Sequence, residues 1–178
     1  MSKTIVCEYC GSMHLTYQPY CTRCGAPINP AFASSTGSTA ALDVSLVDSV
    51  LQLCRQYDAI SCCYTEGIIP EKKLRNARQA FGIPPAEQVL MLCDNTVFGS
   101  NKDGLAICAG GLYWKNDWAT ETKRTFLPWG DFAQRDIKRK QYHLSLGQGD
   151  RINTAAMLDA DVKKLVKLLE DLQTLLGK

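Results

Sequence analysis

Four cysteines carry the clearest chemistry in this 178-residue chain: Cys7, Cys10, Cys21 and Cys24, spaced C-x2-C-x10-C-x2-C. Two cysteines three positions apart in a tight turn aim both sulfurs at one point, and two such turns complete a tetrahedron. Four thiolates at about 2.3 Å make a closed structural zinc site with no position left for water. Gly11 and Gly25 follow the two pairs. Glycine lets the chain turn there so that backbone N–H groups point at the sulfurs. Iron accepts the same geometry, so the ligands alone leave zinc and iron both open. His14 lies between the pairs and is not needed once four thiolates are in place. A segment of about 25 residues has too little core to fold without a staple, and one structural Zn2+ is the cofactor expected.

Nine cysteines in all is an odd number, which argues against a fully paired disulfide framework. The opening MSKTIVCEYC lacks the apolar stretch of a secretory signal, so a reducing, cytoplasmic setting is expected. Cys54, Cys62, Cys63, Cys93 and Cys108 lie among apolar neighbours. Adjacent Cys62 and Cys63 can bond to each other only with strain. Cys93 and Cys108 could face one another across strands, but buried free thiols are the expected state of all five.

A catalytic set is harder to find. The chain has two histidines. In YHLSL (142–146), His143 and Ser145 share one face of a strand, while Tyr142, Leu144 and Leu146 take the core side. His143 has no carboxylate beside it in sequence, so a solvent-facing strand histidine is expected. No G-x-S-x-G, P-loop, HExxH or dinucleotide signature occurs. GSNKDG (99–104) lacks the G-K-[ST] ending of a phosphate loop and reads as a hairpin turn. Acidic residues are scattered singly among bases, so no carboxylate pair stands out. The expectation is a protein that is not an enzyme.

Binding candidates are few. Arg135, Lys138, Arg139 and Lys140 form the densest positive cluster. On a strand, 138 and 140 would face one way and 139 the other, so half the cluster could meet phosphate. An ordinary solvated edge strand explains the same residues, because lysine there discourages sheet-to-sheet aggregation. Residues 86–150 carry eight bases against eight acids, and the whole chain has a formal charge of +2 from 20 Lys+Arg and 18 Asp+Glu. A protein binding nucleic acid or anionic lipid by bulk charge is usually more basic. Tyr9, Tyr17 and Tyr20 could stack on bases, but only Lys3 and Arg23 accompany them, against Glu8. Trp114 and Trp129 read as core or rim, whereas Trp118, in the polar stretch KNDWATET, is a candidate protein-contact anchor.

The elements that must position these residues follow from composition and periodicity. Hydrophobic residues make up 46% and charged residues 21%, ordinary for a globular chain, and no apolar run is long enough to cross a bilayer. After the cysteine module (1–28), residues 29–42 are uncharged and rich in Ala, Ser, Thr and Gly, a flexible tether reaching roughly 20 Å. A helical segment of two helices spans 43–82. The first is capped by Asp43, with Leu46, Val47, Val50, Leu51 and Cys54 on one face, and runs to about Cys62; the second runs from Pro70 to Gly82. From 83 to 178 the period changes. VLMLC, LAICA, LYW, TFLPW, YHLSL and RINT are short runs separated by turn signals, a meander of about six antiparallel strands. Leu158, Val162, Leu165, Leu169, Leu172 and Leu176 then step by three and four along a helix capped near Asp159, a stripe wide enough to cover the sheet and to leave part of itself for a second subunit.

Two resemblances add to this. CEYCGSMHLTYQPYCTRCGAPI resembles the short zinc-ribbon modules that begin many bacterial proteins, which implies a protein or nucleic-acid contact. DNTVFGSNKDGLAICAGGLYWKN followed by TFLPWGDF resembles the bacterial pleckstrin-homology-like (GRAM-type) domains. That likeness implies an α+β chain whose antiparallel barrel is closed by the C-terminal amphipathic helix. The function expected is a non-catalytic zinc-binding adaptor, with ribbon and PH-like domain each holding a protein partner. A nucleic-acid module using the ribbon and the 135–140 cluster is the alternative. Lipid binding at a membrane surface is a second alternative, which the charge balance makes less apt.

Overall fold

The computed structural model describes residues 5–6, 13–14, 44–116 and 125–177. The chain forms two compact units, Met1–Thr39 and Ala40–Lys178. In the first, β1 (Ile5–Val6) pairs antiparallel with β2 (Met13–His14). Asp43, Trp118 and the four cysteines Cys7, Cys10, Cys21 and Cys24 lie outside the described residues.

The second unit is α+β. Its main sheet is antiparallel and five-stranded, built from β3 (Cys63–Thr65), β4 (Val89–Asp94), β5 (Gly104–Cys108), β6 (Gly111–Lys115) and β7 (Phe126–Pro128) in that order. Helix α1 (Val44–Gln56), α2 (Glu71–Phe81), the single turn α3 (Trp129–Phe132) and α4 (Asp159–Leu175) surround it. A second antiparallel sheet holds β8 (Lys138–Arg139), β9 (His143–Ser145) and β10 (Arg151–Asn153) in the order β10-β9-β8. The six sequence runs read as strands are all strands.

Both faces of the main sheet are buried, which explains the uninterrupted apolar character of VLMLC and LAICA. On one face Leu105, Ile107, Leu112 and Trp114 pack with Val50, Leu51 and Cys54 of α1 and Val162, Leu165, Leu168, Leu169 and Leu172 of α4. On the other, Leu92, Ala106, Cys108 and Tyr113 pack with Ala77 and Phe81 of α2. The helical stripe at the C terminus thus covers one face, and α2 covers the other. A bulge between Val89 and Met91 breaks the alternation, so Leu90 and Met91 both enter the α1/α4 core while Val89 and Leu92 enter the α2 core. Gly104 and Gly111 permit the close strand approach: a Cβ would lie 2.1 Å from the Cys93 carbonyl oxygen and 2.3 Å from that of Leu127.

Four expectations are corrected. The strands do not close into a barrel; the main sheet is open, with β3 and β7 at its edges. The gap to β10 is spanned by a side chain: Asn116 Nδ2 donates to the Arg151 carbonyl at 2.9 Å, and its Oδ1 accepts the Asn153 N–H at 2.8 Å. Helix α1 ends at Gln56, because Ile60 turns into the core and Cys63–Thr65 are recruited as an edge strand opposite β4. That pairing is a distant contact which overrides local helical periodicity. Helix α4 begins at Asp159 after Leu158, with no side-chain cap. Asp159 instead sits in the first turn, where a carboxylate suits the helix dipole. Tyr142 is 61% exposed rather than in the core, since β9 begins only at His143.

Candidate interaction surfaces

The positive cluster divides according to backbone parity. In β9, partly exposed His143 and Ser145 flank fully buried Leu144; in β10, Arg151 and Asn153 flank Ile152 in the same way. Lys138 and Arg151 both lie opposite Ser145, and Lys140, whose N–H donates to the His143 carbonyl, lies opposite His143. Lys138 and Lys140 therefore share the outer face with His143, Ser145 and Arg151. Arg139, opposite Leu144, takes the other parity and ion-pairs with Asp159. Lys138 ion-pairs with Asp136 at 2.6 Å, both well exposed.

Arg135 leaves the cluster altogether. It is 3% exposed and ion-pairs with Asp150 at 3.2 Å. Its carbonyl and that of Phe132 accept from Gln173 Nε2 of α4, at 2.8 and 2.9 Å. This is an internal brace, placed inside because Phe132 and Ala133 just before it are core residues. As a partner contact Arg135 is thus corrected, and Arg151 joins the cluster instead. Nothing in the local sequence flags Arg151, because its place depends on the β9–β10 register.

His143 titrates below its ordinary value because it is partly desolvated and because Arg151 and Lys140 are close by. A histidine whose protonation is disfavoured by burial and by two neighbouring cations is a poor general acid. The described free thiols are no better placed. Burial pushes Cys54 up to about 12 and Cys62 up to about 11, and raises Cys108 well above an ordinary thiol. Such thiols are weak nucleophiles at neutral pH. Cys63 and Cys93 depart from the expectation of free thiols: they lie directly opposite across β3 and β4 and form a disulfide. Cys93 does not face Cys108, which sits opposite Val89.

Sequence reasoning missed one surface. The β4–β5 loop presents Val97 at 80% and Phe98 at 96% exposure, two adjacent large apolar side chains at its tip. The loop is firmly braced. Asp94 Oδ1 accepts the N–H and hydroxyl of Thr96 at 2.9 and 2.6 Å, and Thr96 Oγ1 accepts the Ser100 N–H at 2.7 Å. From α2, Lys73 Nζ donates to Asp94 Oδ2 at 2.8 Å and to the Gly99 carbonyl, while Asn76 Nδ2 donates to the Ser100 carbonyl at 2.8 Å. Burial works against the Lys73 charge, yet Asp94 outweighs it and raises its pKa. The available signal was an apolar pair, Val-Phe, lying between two sets of turn residues.

An open groove of about 580 Å³ between α1 and α4 is lined by Gln52, Leu53, Gln56, Asp171, Thr174 and Leu175. Its Asp171 already accepts from Tyr57 and Lys167. Among the described residues no group of three His, Cys, Asp or Glu side chains converges on a metal position. No described helix is long and apolar enough to cross a membrane. Comparison of the chain with protein-family models, with curated proteins and with solved structures finds no match.

Proposed function

We propose that this chain is a non-catalytic, zinc-binding adaptor that works by holding one protein partner on each of its two units. The exposed Val97–Phe98 tip is the observation that carries the reading. A large apolar pair held out by a rigid, hydrogen-bonded loop has its ordering cost settled before contact, which favours a protein interface. The raised thiols and the cation-flanked His143 support an absence of chemistry.

The donor chemistry of Cys7, Cys10, Cys21 and Cys24 fits one structural Zn2+, which would be held by those four thiolates and would fold the first unit. Support comes from the β1–β2 pairing, because the sequence between those strands contains the first cysteine pair. The zinc-ribbon reading rests on that spacing. A relationship to PH-like, GRAM-type domains is supported by the meander β4-β5-β6-β7 and the α4 helix packed on it; the open sheet departs from that pattern.

Quantitative co-purification with the full-length chain tests the adaptor. Cys7→Ser with Cys10→Ser should remove one set of bound proteins, and Phe98→Ser a different set. Identical sets from all three proteins would end the reading.

A further inference from the structure

The geometry points to a head-to-tail contact between copies of this chain, in which the Val97–Phe98 tip of one copy seats in the groove between α1 and α4 of the next. This rests on the reading of the tip as a protein contact, and it names the partner of the second unit as another copy.

Shape is the first argument. Val97 and Phe98 stand almost wholly in solvent, on a loop that Asp94, Thr96, Lys73 and Asn76 hold in place. Two adjacent apolar side chains on a braced loop make a knob, and burying a knob takes a hole in the partner. The groove of about 580 Å³ lies within the size range of pockets that enclose small ligands. Half-buried Leu53 of α1 and exposed Leu175 of α4 supply its apolar lining, and Gln52 and Gln56 stand beside them.

Charge agrees with shape. Residues 96–102 hold one base, the exposed Lys102, and no acid. Lys73 is already engaged by Asp94. The groove carries Asp48 from α1 and Asp171 from α4, and among the described residues that line it there is no base. Lys167 pairs with Asp171, whereas Asp48 is exposed on the other wall and suits Lys102 of an incoming tip. A bilayer is the poorer occupant: two apolar side chains and one lysine give little to insert and little to hold an anionic surface.

The fold keeps the two halves of the contact apart. Helix α2 covers one face of the main sheet and braces the tip, while α1 and α4 cover the other face. Tip and groove thus belong to opposite layers, and a paired copy still offers one of them to a further copy. A contact this small is weak, with association expected at roughly 100 µM and above.

Sedimentation velocity of the full-length, zinc-loaded chain between about 10 µM and about 1 mM tests this. The average mass should rise with concentration and pass that of a dimer. Phe98→Ser removes the tip, and Asp48→Lys with Leu175→Lys, both at exposed positions, spoils the groove; each protein alone should stay monomeric. Mixed, the two should form a 1:1 dimer that grows no further, since one working tip and one working groove remain. Lys102→Glu should weaken association by roughly tenfold. Unchanged circular dichroism of each variant separates contact from folding. A chain that stays monomeric at the highest concentration would overturn the proposal, as would association indifferent to Phe98→Ser or a mixture that fails to pair. So would a monomeric chain captured by phosphatidylglycerol vesicles through Phe98. If copies do not associate yet Phe98→Ser still loses its set of co-purifying proteins, this inference ends and the adaptor reading stands; if Phe98→Ser alters neither, both end.

Discussion

Asn116 Oδ1 receives the Asn153 backbone N–H at 2.8 Å, and the same amide returns a hydrogen bond to the neighbouring Arg151 carbonyl at 2.9 Å. One side chain thus makes the two bonds that a paired strand would make to β10. It links the open main sheet to the small one. Asn116→Ala should lower unfolding free energy by about 1–2 kcal/mol for two lost hydrogen bonds. Urea denaturation checks this.

The buried pair of Arg135 and Asp150 should behave as structure. Arg135→Ala leaves a carboxylate that is 2% exposed without its cation, a change costing about 3–5 kcal/mol. Lys138→Ala, three residues further along and on the surface, should leave stability nearly unchanged, because an exposed ion pair is screened by solvent. Equal, small effects in thermal or chemical denaturation would mean that Arg135 is not an internal brace.

Acid should reveal His143. Its folded pKa lies below the ordinary 6.5, first because of burial and then because of Arg151 and Lys140. Between those two values the unfolded chain binds more protons, so stability is complete above pH 6.5 and falls as pH drops through the window. His143→Gln should flatten that part of a melting-temperature profile. Asp171, lowered by Lys167 and Tyr57, contributes stability that is lost only on further acidification, from its ordinary 3.8 downward. The two losses are therefore separable along the pH axis.

Thiol titration checks the β3–β4 cross-link. Nine cysteines less the two in the Cys63–Cys93 bond leave seven reactive thiols in unfolded, metal-stripped, unreduced protein. Nine would show the pair reduced. Because Cys63 and Cys93 are opposed by strand register, either outcome leaves the sheet pairing intact.

Much of this was legible in the chain. β4, β5, β6, β7, β9 and β10 announce themselves as apolar runs between turn residues, and α2 as a stretch between Pro70 and Gly82, whose φ of 70° ends the helix. What stayed hidden depends on distant partners. Cys63–Thr65 is too short to show a period and becomes a strand only because β4 lies beside it. Four cations close in sequence separate three ways: Arg135 inward to Asp150, Arg139 to Asp159, and Lys138 with Lys140 outward. The alternation of Lys138, Arg139 and Lys140 could be read from a two-residue period. The fate of Arg135 could not, because it precedes the strand, and Arg151 required the register.

Native mass spectrometry of the full-length chain tests the central claim most directly. The account predicts one zinc ion per chain, released when Cys7, Cys10, Cys21 and Cys24 are titrated and lost in Cys7→Ser with Cys10→Ser. A chain that carries no metal, and whose first unit keeps the same hydrogen-exchange protection when all four cysteines are serine, would contradict it.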